Sequence, residues 1–127
     1  MTAQGPMPDA APARGAVLSK AVLRAADRLG LGANRLAATI GVSEATVSRM
    51  KRGEFVLAEG AKSFELAALL VRAFRSLDAV AGGDAAVVRA WMRNPNTALG
   101  AAPVEKIQTI AGLMDVIAYL DARRAIV

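Results

Sequence analysis

No cysteine and no histidine occur anywhere in the 127 residues. Their joint absence removes disulfides, thiolate nucleophiles, imidazole bases and the usual zinc-ligand sets, so no metal and no cofactor is expected. A cysteine-free chain is also compatible with a cytoplasmic protein. Aromatic residues are scarce, with three Phe, one Trp and one Tyr. The hydrophobic fraction of 54% is rich in alanine, which buries little area, so each half has few large apolar anchors. The halves are therefore expected to share a core or to dimerise. Long apolar runs are missing as well: the longest, Leu66 to Val71, stops at Arg72. A membrane-spanning helix needs about 20 such residues, so a soluble chain without a membrane partner is expected. The N-terminus shows no basic stretch followed by an apolar one, so no secretory signal is expected. No carboxylate pair is arranged for acid–base work, because Asp115 and Asp121 fall on different faces of one helix. An enzyme is not expected.

What the chain does have is positive charge, +5 overall with a pI near 10.4. It is concentrated. Between Arg14 and Gly53 lie Arg14, Lys20, Arg24, Arg28, Arg35, Arg49, Lys51 and Arg52, opposed only by Asp27 and Glu44. A solvated surface would account for scattered charge; a cluster of this kind also suits a polyanion.

Punctuation by Gly, Pro, Ser and Asp divides the rest. Residues 1–15 hold three prolines, two glycines and no apolar periodicity, and are expected to form a disordered leader. Leu18, Val22, Ala25, Ala26 and Leu29 form one stripe of a helix from about Val17 to Leu29, broken by Gly30 and Gly32. A second helix covers Ala33 to Ile40 and stops at Gly41. Ser43 is a natural N-cap for a third, Glu44 to about Arg52, which Gly53 terminates. After a loop from Glu54 to Ala61, a longer helix over Lys62 to Val80 places Phe64, Ala67, Leu70, Val71, Phe74 and Leu77 at three-and-four spacing. Gly82-Gly83 closes it, and Asp84 can cap a short helix ending near Arg93. Pro103 sits where a helix would begin, and Thr109 suits the cap of a last helix running to the C-terminus. No alternating strand pattern exceeds four residues. The expected fold is an all-α small helical bundle, with residues 16–60 as one unit and 61–127 as a second, C-terminal helical one.

The segment ANRLAATIGVSEATVSRMKRG, Ala33 to Gly53, fits a helix-turn-helix. Leu36, Ile40, Val47 and Met50 supply the apolar faces, and Ala37 is small where the second helix crosses. Gly41 occupies the turn position that needs positive φ, Val42 plugs the junction and Ser43 caps. A plain αα-hairpin is the alternative. In the helix-turn-helix reading, Glu44, Ala45, Thr46, Ser48 and Arg49 face outward into a major groove. Arg49 suits guanine O6 and N7, and Glu44 suits a cytosine amino group. Thr46 and Ser48 suit phosphates or bases. Lys51 and Arg52 fit phosphate contacts, or equally a favourable charge at a helix C-terminus. A single motif grips few phosphates, so a homodimer reading two half-sites of operator DNA is expected. About forty residues of this N-terminal half resemble the Xre/Cro-type helix-turn-helix of bacterial and phage repressors.

The only tryptophan lies in WMRNPNTALGAAP, Trp91 to Pro103. Turn chemistry explains each residue: Pro95 fixes φ, the asparagines bond local backbone, Gly100 relieves it, and Trp91 and Leu99 are expected as core anchors. In order, Trp91, Pro95-Asn96, Leu99-Gly100, Pro103, Thr109, Gly112, Val116 and Leu120 resemble the antitoxin domain of Xre, MbcA and ParS proteins. With the preceding motif, the resemblance covers about residues 17 to 127. It implies a dimeric antitoxin that binds a cognate RES-domain toxin, one that consumes NAD or transfers ADP-ribose, obstructs its NAD pocket and represses its own operon. Carried onto this sequence, the toxin-facing candidates are Asp121, Arg123, Arg124, Ile126 and Val127. Members of that family often continue past the last helix with a glycine and further residues. This chain reads ArgArgAlaIleVal there, so a shorter blocking segment, or none, is expected. A frayed helix end would have the same composition. The competing functional reading is a stand-alone helix-turn-helix repressor whose C-terminal half serves only dimerisation or effector sensing.

Overall fold

The computed structural model describes residues 13–126. Among them the chain forms seven helices and no strand: α1 Arg14–Leu29, α2 Ala33–Ile40, α3 Glu44–Lys51, α4 Lys62–Val80, α5 Ala85–Arg93, α6 Pro103–Lys106 and α7 Ile110–Ile126. The all-α expectation holds. Residues 1–12, the greater part of the expected leader, lie outside the described residues, as does Val127.

The helix ends follow the local chemistry. Gly30 and Gly41 close α1 and α2 in the left-handed region, at φ 78° and 76°, where a Cβ would be strained. Ser43 Oγ accepts from the Thr46 amide at 3.0 Å, and Asp84 Oδ1 accepts from Ala86 and Val87 at 3.0 and 3.2 Å. Each satisfies donors that an unfinished first turn leaves open. Pro103 opens α6, and Thr109 Oγ1 takes the Gly112 amide at the start of α7.

One boundary differs from expectation. Helix α1 begins at Arg14, not near Val17. The cause is tertiary: Gly15 is buried against the loop after α3, and a Cβ there would lie 2.0 Å from the Leu57 carbonyl oxygen. Buried Ser19 ties the same two segments, donating to Gly15 O at 2.7 Å and accepting from the Leu57 amide at 2.9 Å. The first helical turn is thus held by residues some forty positions away.

Helix α4 is the centre of the bundle, packing on α1, α2, α5 and α7. Its Leu70 and Ala67 are fully buried, with Leu36 and Ile40 of α2, Val22 of α1 and Leu113, Val116 and Leu120 of α7 in the same contiguous cluster. The shortage of large anchors in each half is met by this shared core. Phe64 and Phe74, the aromatic members of the α4 stripe, remain half-buried at its edge. The guanidinium groups of Arg14 and Arg28 lie over them at 5.9 and 5.8 Å from the ring centres.

Candidate nucleic-acid and partner-binding surfaces

The helix-turn-helix packs as its residue types require. Leu36, Ile40, Val47 and Met50 are buried, at 1%, 0%, 0% and 4% exposure, so α2 and α3 share one apolar seam. Ala37 is buried beneath the crossing, and its carbonyl accepts from both Gly41 and Val42. A Cβ on Gly41 would touch Leu66 of α4, which sets the motif directly on the central helix.

On the outer side of α3, Glu44, Ala45, Arg49, Lys51 and Arg52 are exposed and Ser48 is half-buried. Thr46 does not face outward as expected. It is buried, at 9% exposure, because it stands at the third helical position, beneath the Ser43 cap. The two hydroxyls lie 3.0 Å apart, and Thr46 Oγ1 also accepts from the Arg49 guanidinium at 3.0 Å. Arg49 in turn lies over the Phe55 ring, 5.9 Å from its centre. Cap, threonine, arginine and ring form one short relay, and Thr46 orients Arg49 from below. Arg52 pairs with Glu54 at 3.1 Å, again within the motif and its adjoining loop.

The tip of α7 is held differently. Asp121, half-buried, accepts from Arg72 and, at 3.2 Å, from Ser76 of α4. Arg124 donates to the same Ser76 hydroxyl at 3.2 Å. Two of the expected toxin-facing residues are therefore tied to α4. Arg123 is exposed, donating to the Tyr119 hydroxyl at 3.1 Å and lying over its ring. Ile126 ends α7. Ser76 and Arg72 were not singled out by the sequence reading. The available signal was a serine on the buried stripe of α4, beside Ala73 and Leu77, where an unpaired hydroxyl would be costly.

The corner between α5 and α6 is built on Asn96. Its backbone carbonyl accepts from Leu99 and Gly100 at 3.1 and 2.8 Å, its side-chain oxygen accepts from Leu99 at 3.2 Å, and its amide donates to Ala101. Trp91 is half-buried and stacks on Tyr119 of α7, with ring centres 6.1 Å apart and planes 22° apart. The deep anchor at the end of α5 is Met92, 1% exposed; Trp91 and the half-buried Leu99 pack around the rim of the core. The tryptophan thus orients α7 by its ring face. Gly112 completes this junction: a Cβ there would lie 1.9 Å from the Lys106 carbonyl oxygen, so α6 and α7 meet backbone to backbone.

Comparison with protein-family models gives two matches in tandem. Residues 9–72 match the antitoxin Xre-like helix-turn-helix domain, and residues 76–125 match the antitoxin Xre/MbcA/ParS C-terminal toxin-binding domain. Comparison with curated proteins finds no matching relative. Among the described residues, no helix is long and apolar enough to cross a membrane. The chain belongs to the Xre-like antitoxin family, joining that family's DNA-binding helix-turn-helix to a toxin-binding domain of the Xre/MbcA/ParS type.

Proposed function

We propose that the chain is the antitoxin of a RES-type toxin, one that consumes NAD or ADP-ribosylates a target, and that as a homodimer it represses its own operon. The observation that carries this reading is the tandem of matched domains, a reader of DNA and a binder of toxin, on one shared core. In this reading α3 enters the major groove, and the exposed side chains of Glu44 and Arg49 meet base edges. Ala45 and Ser48 line the same contact. Lys51 and Arg52 contact phosphates, which fix register without reading sequence. Arg49 exchanges its bond to Thr46 for the base, and Thr46 acts by aiming it. Two half-sites read by a dimer supply the affinity that one short helix lacks.

Toxin contact is assigned to the outer side of the α7 tip, with Arg123 facing the partner and Ile126 and Val127 kept as candidates on the resemblance alone. Asp121 and Arg124 shape that tip through Ser76 and Arg72. The chain itself performs no chemistry in this scheme and neutralises by occupying the toxin.

Co-expression with the product of the adjoining reading frame tests the proposal. Restored growth and co-purification of the two chains are expected. Growth arrest that the chain does not relieve, or a neighbour of unrelated type that never co-purifies, would instead favour the stand-alone repressor.

A further inference from the structure

Helices α1 and α4 and the end of α7 enclose an open groove of about 820 Å³ whose lining includes no residue of α2 or α3. Its floor is apolar: Val17 is 53% exposed, and Leu18, Ala21 and Phe64 are only half-buried. A second, smaller depression of about 370 Å³ continues it and shares Ala21, Val71 and Arg75. Together they run beside α1 from Arg14 to Arg28, about 21 Å at the helical rise. A trough this elongated suits a peptide segment better than a compact small molecule.

The rim decides what kind of segment. Six arginines line the two depressions, Arg14, Arg24, Arg28, Arg72, Arg75 and Arg124, against two carboxylates, Asp27 and Asp121. Arg14, Arg28 and Arg72 are paired with Glu59, Asp78 and Asp121, while Arg24, Arg75 and Arg124 make no ion pair among the described residues. A second copy of this basic chain would bring like charge to like. DNA carries the right charge but no apolar surface to meet Val17 and Phe64. A membrane would need a protruding apolar face, and here the apolar residues line a groove between helices.

We infer that this groove docks an acidic amphipathic helix of a partner protein, its apolar residues on the α1–α4 floor and its carboxylates on the arginine rim. This goes beyond the contact assigned to the α7 tip by adding a second docking place and the chemistry of the segment docked there. It brings Ser76, Asp121 and Arg124 into one surface with α1, so the partner is gripped across both matched domains.

The test uses the full chain and a displayed library of random peptides about 14 residues long, the length that spans the trough as a helix. Selected peptides should carry acidic residues flanking apolar ones at three-and-four spacing. A selected peptide should bind Arg75→Glu and the groove-filling Ala68→Trp about tenfold or more weakly than the parent chain. Helical circular dichroism and melting should be unchanged in Arg75→Glu, which alone decides the matter if Ala68→Trp fails to fold. Neutral or basic selected peptides, or equal binding by Arg75→Glu, would overturn the proposal. So would dissociation of a dimer by Ala68→Trp in sedimentation, or loss by Arg75→Glu of binding to random duplex DNA or to anionic vesicles. Acidic peptides that bind in the absence of any toxin rescue remove the proposed function alone. Toxin rescue without acidic selection removes only this inference.

Discussion

The recognition helix α3 and the tip of α7 both expose arginines, yet their polar groups are anchored in opposite ways. Around α3 the bonds are local: Ser43, Thr46, Arg49, Arg52 and Glu54 bond one another within a dozen residues. At the α7 tip the bonds are tertiary, joining Asp121 and Arg124 to Arg72 and Ser76, more than forty residues away. A local network can rearrange without disturbing the core, which suits the proposed role of Arg49, in which it leaves Thr46 to meet a base. A tertiary network fixes where a helix end lies, which suits a surface presented to a protein. The contrast separates residues proposed to touch a partner from residues that position them.

The largest effect is expected where α7 is set in place. Gly112→Ala puts a Cβ against the Lys106 carbonyl, a clash with backbone that no rotamer relieves. Overpacking of this kind costs about 1–3 kcal/mol, more than the roughly 1 kcal/mol that alanine gains over glycine in a helix. Denaturant unfolding should show a lower midpoint, with toxin rescue falling alongside it. A midpoint equal to the parent's would mean that α6 and α7 separate freely, and the α7 tip would lose its fixed position in the comparison.

Next comes Arg49→Ala, which should remove discrimination among operator sequences, by about 1–3 kcal/mol per base pair lost. Stability should stay within about 0.5 kcal/mol, since Arg49 is exposed and, among the described residues, its guanidinium bonds only Thr46. Binding competition between operator and scrambled duplex measures the first, thermal melting the second. Retained selectivity would take the reading role away from α3's arginine.

How much of this was legible beforehand depends on the reach of each interaction. The helix-turn-helix seam, Gly41, the Ser43 and Asp84 caps and the start of α6 at Pro103 are readable because each is decided within a few residues. Thr46 lies inward although the groove-facing pattern points it out, because at the third helical position its hydroxyl meets the Ser43 cap and Arg49. The early start of α1 and the roles of Gly15 and Ser19 depend on Leu57, which no local pattern announces. Gly112 was noted as part of a resemblance, and its physical reason, the Lys106 carbonyl, appears only in three dimensions. The arginine-rimmed groove was likewise hidden, since its residues come from α1, α4 and α7.

Ser76→Ala sharpens the contrast at the α7 tip. The hydroxyl is buried, in a residue 1% exposed, and serves both Asp121 and Arg124. Losing it should cost about 1 kcal/mol in chemical denaturation. A larger share of the effect should fall on toxin rescue than on operator binding, because α3 shares no bond with this cluster. Equal loss of both activities would mean that Ser76 supports the bundle as a whole.

The smallest structural effect and the most specific functional one are expected together at Arg123. Its guanidinium bonds only Tyr119, one turn back on the same helix, and an exposed contact of that kind is worth about 0.5 kcal/mol or less. Melting of Arg123→Ala should therefore match the parent. If the α7 tip meets the toxin, co-purification with it should weaken while operator affinity stays the same. Deleting Asp121 to Val127 cannot make this distinction cleanly, because it also removes the Arg72–Asp121 pair and the Arg124–Ser76 bond that hold α7 to α4. Arg123 stands on the tip without contributing to its anchorage, so a change there isolates contact from positioning. Undiminished toxin capture by Arg123→Ala would move the partner surface off the tip and toward the groove that Asp121 and Arg124 share with α1.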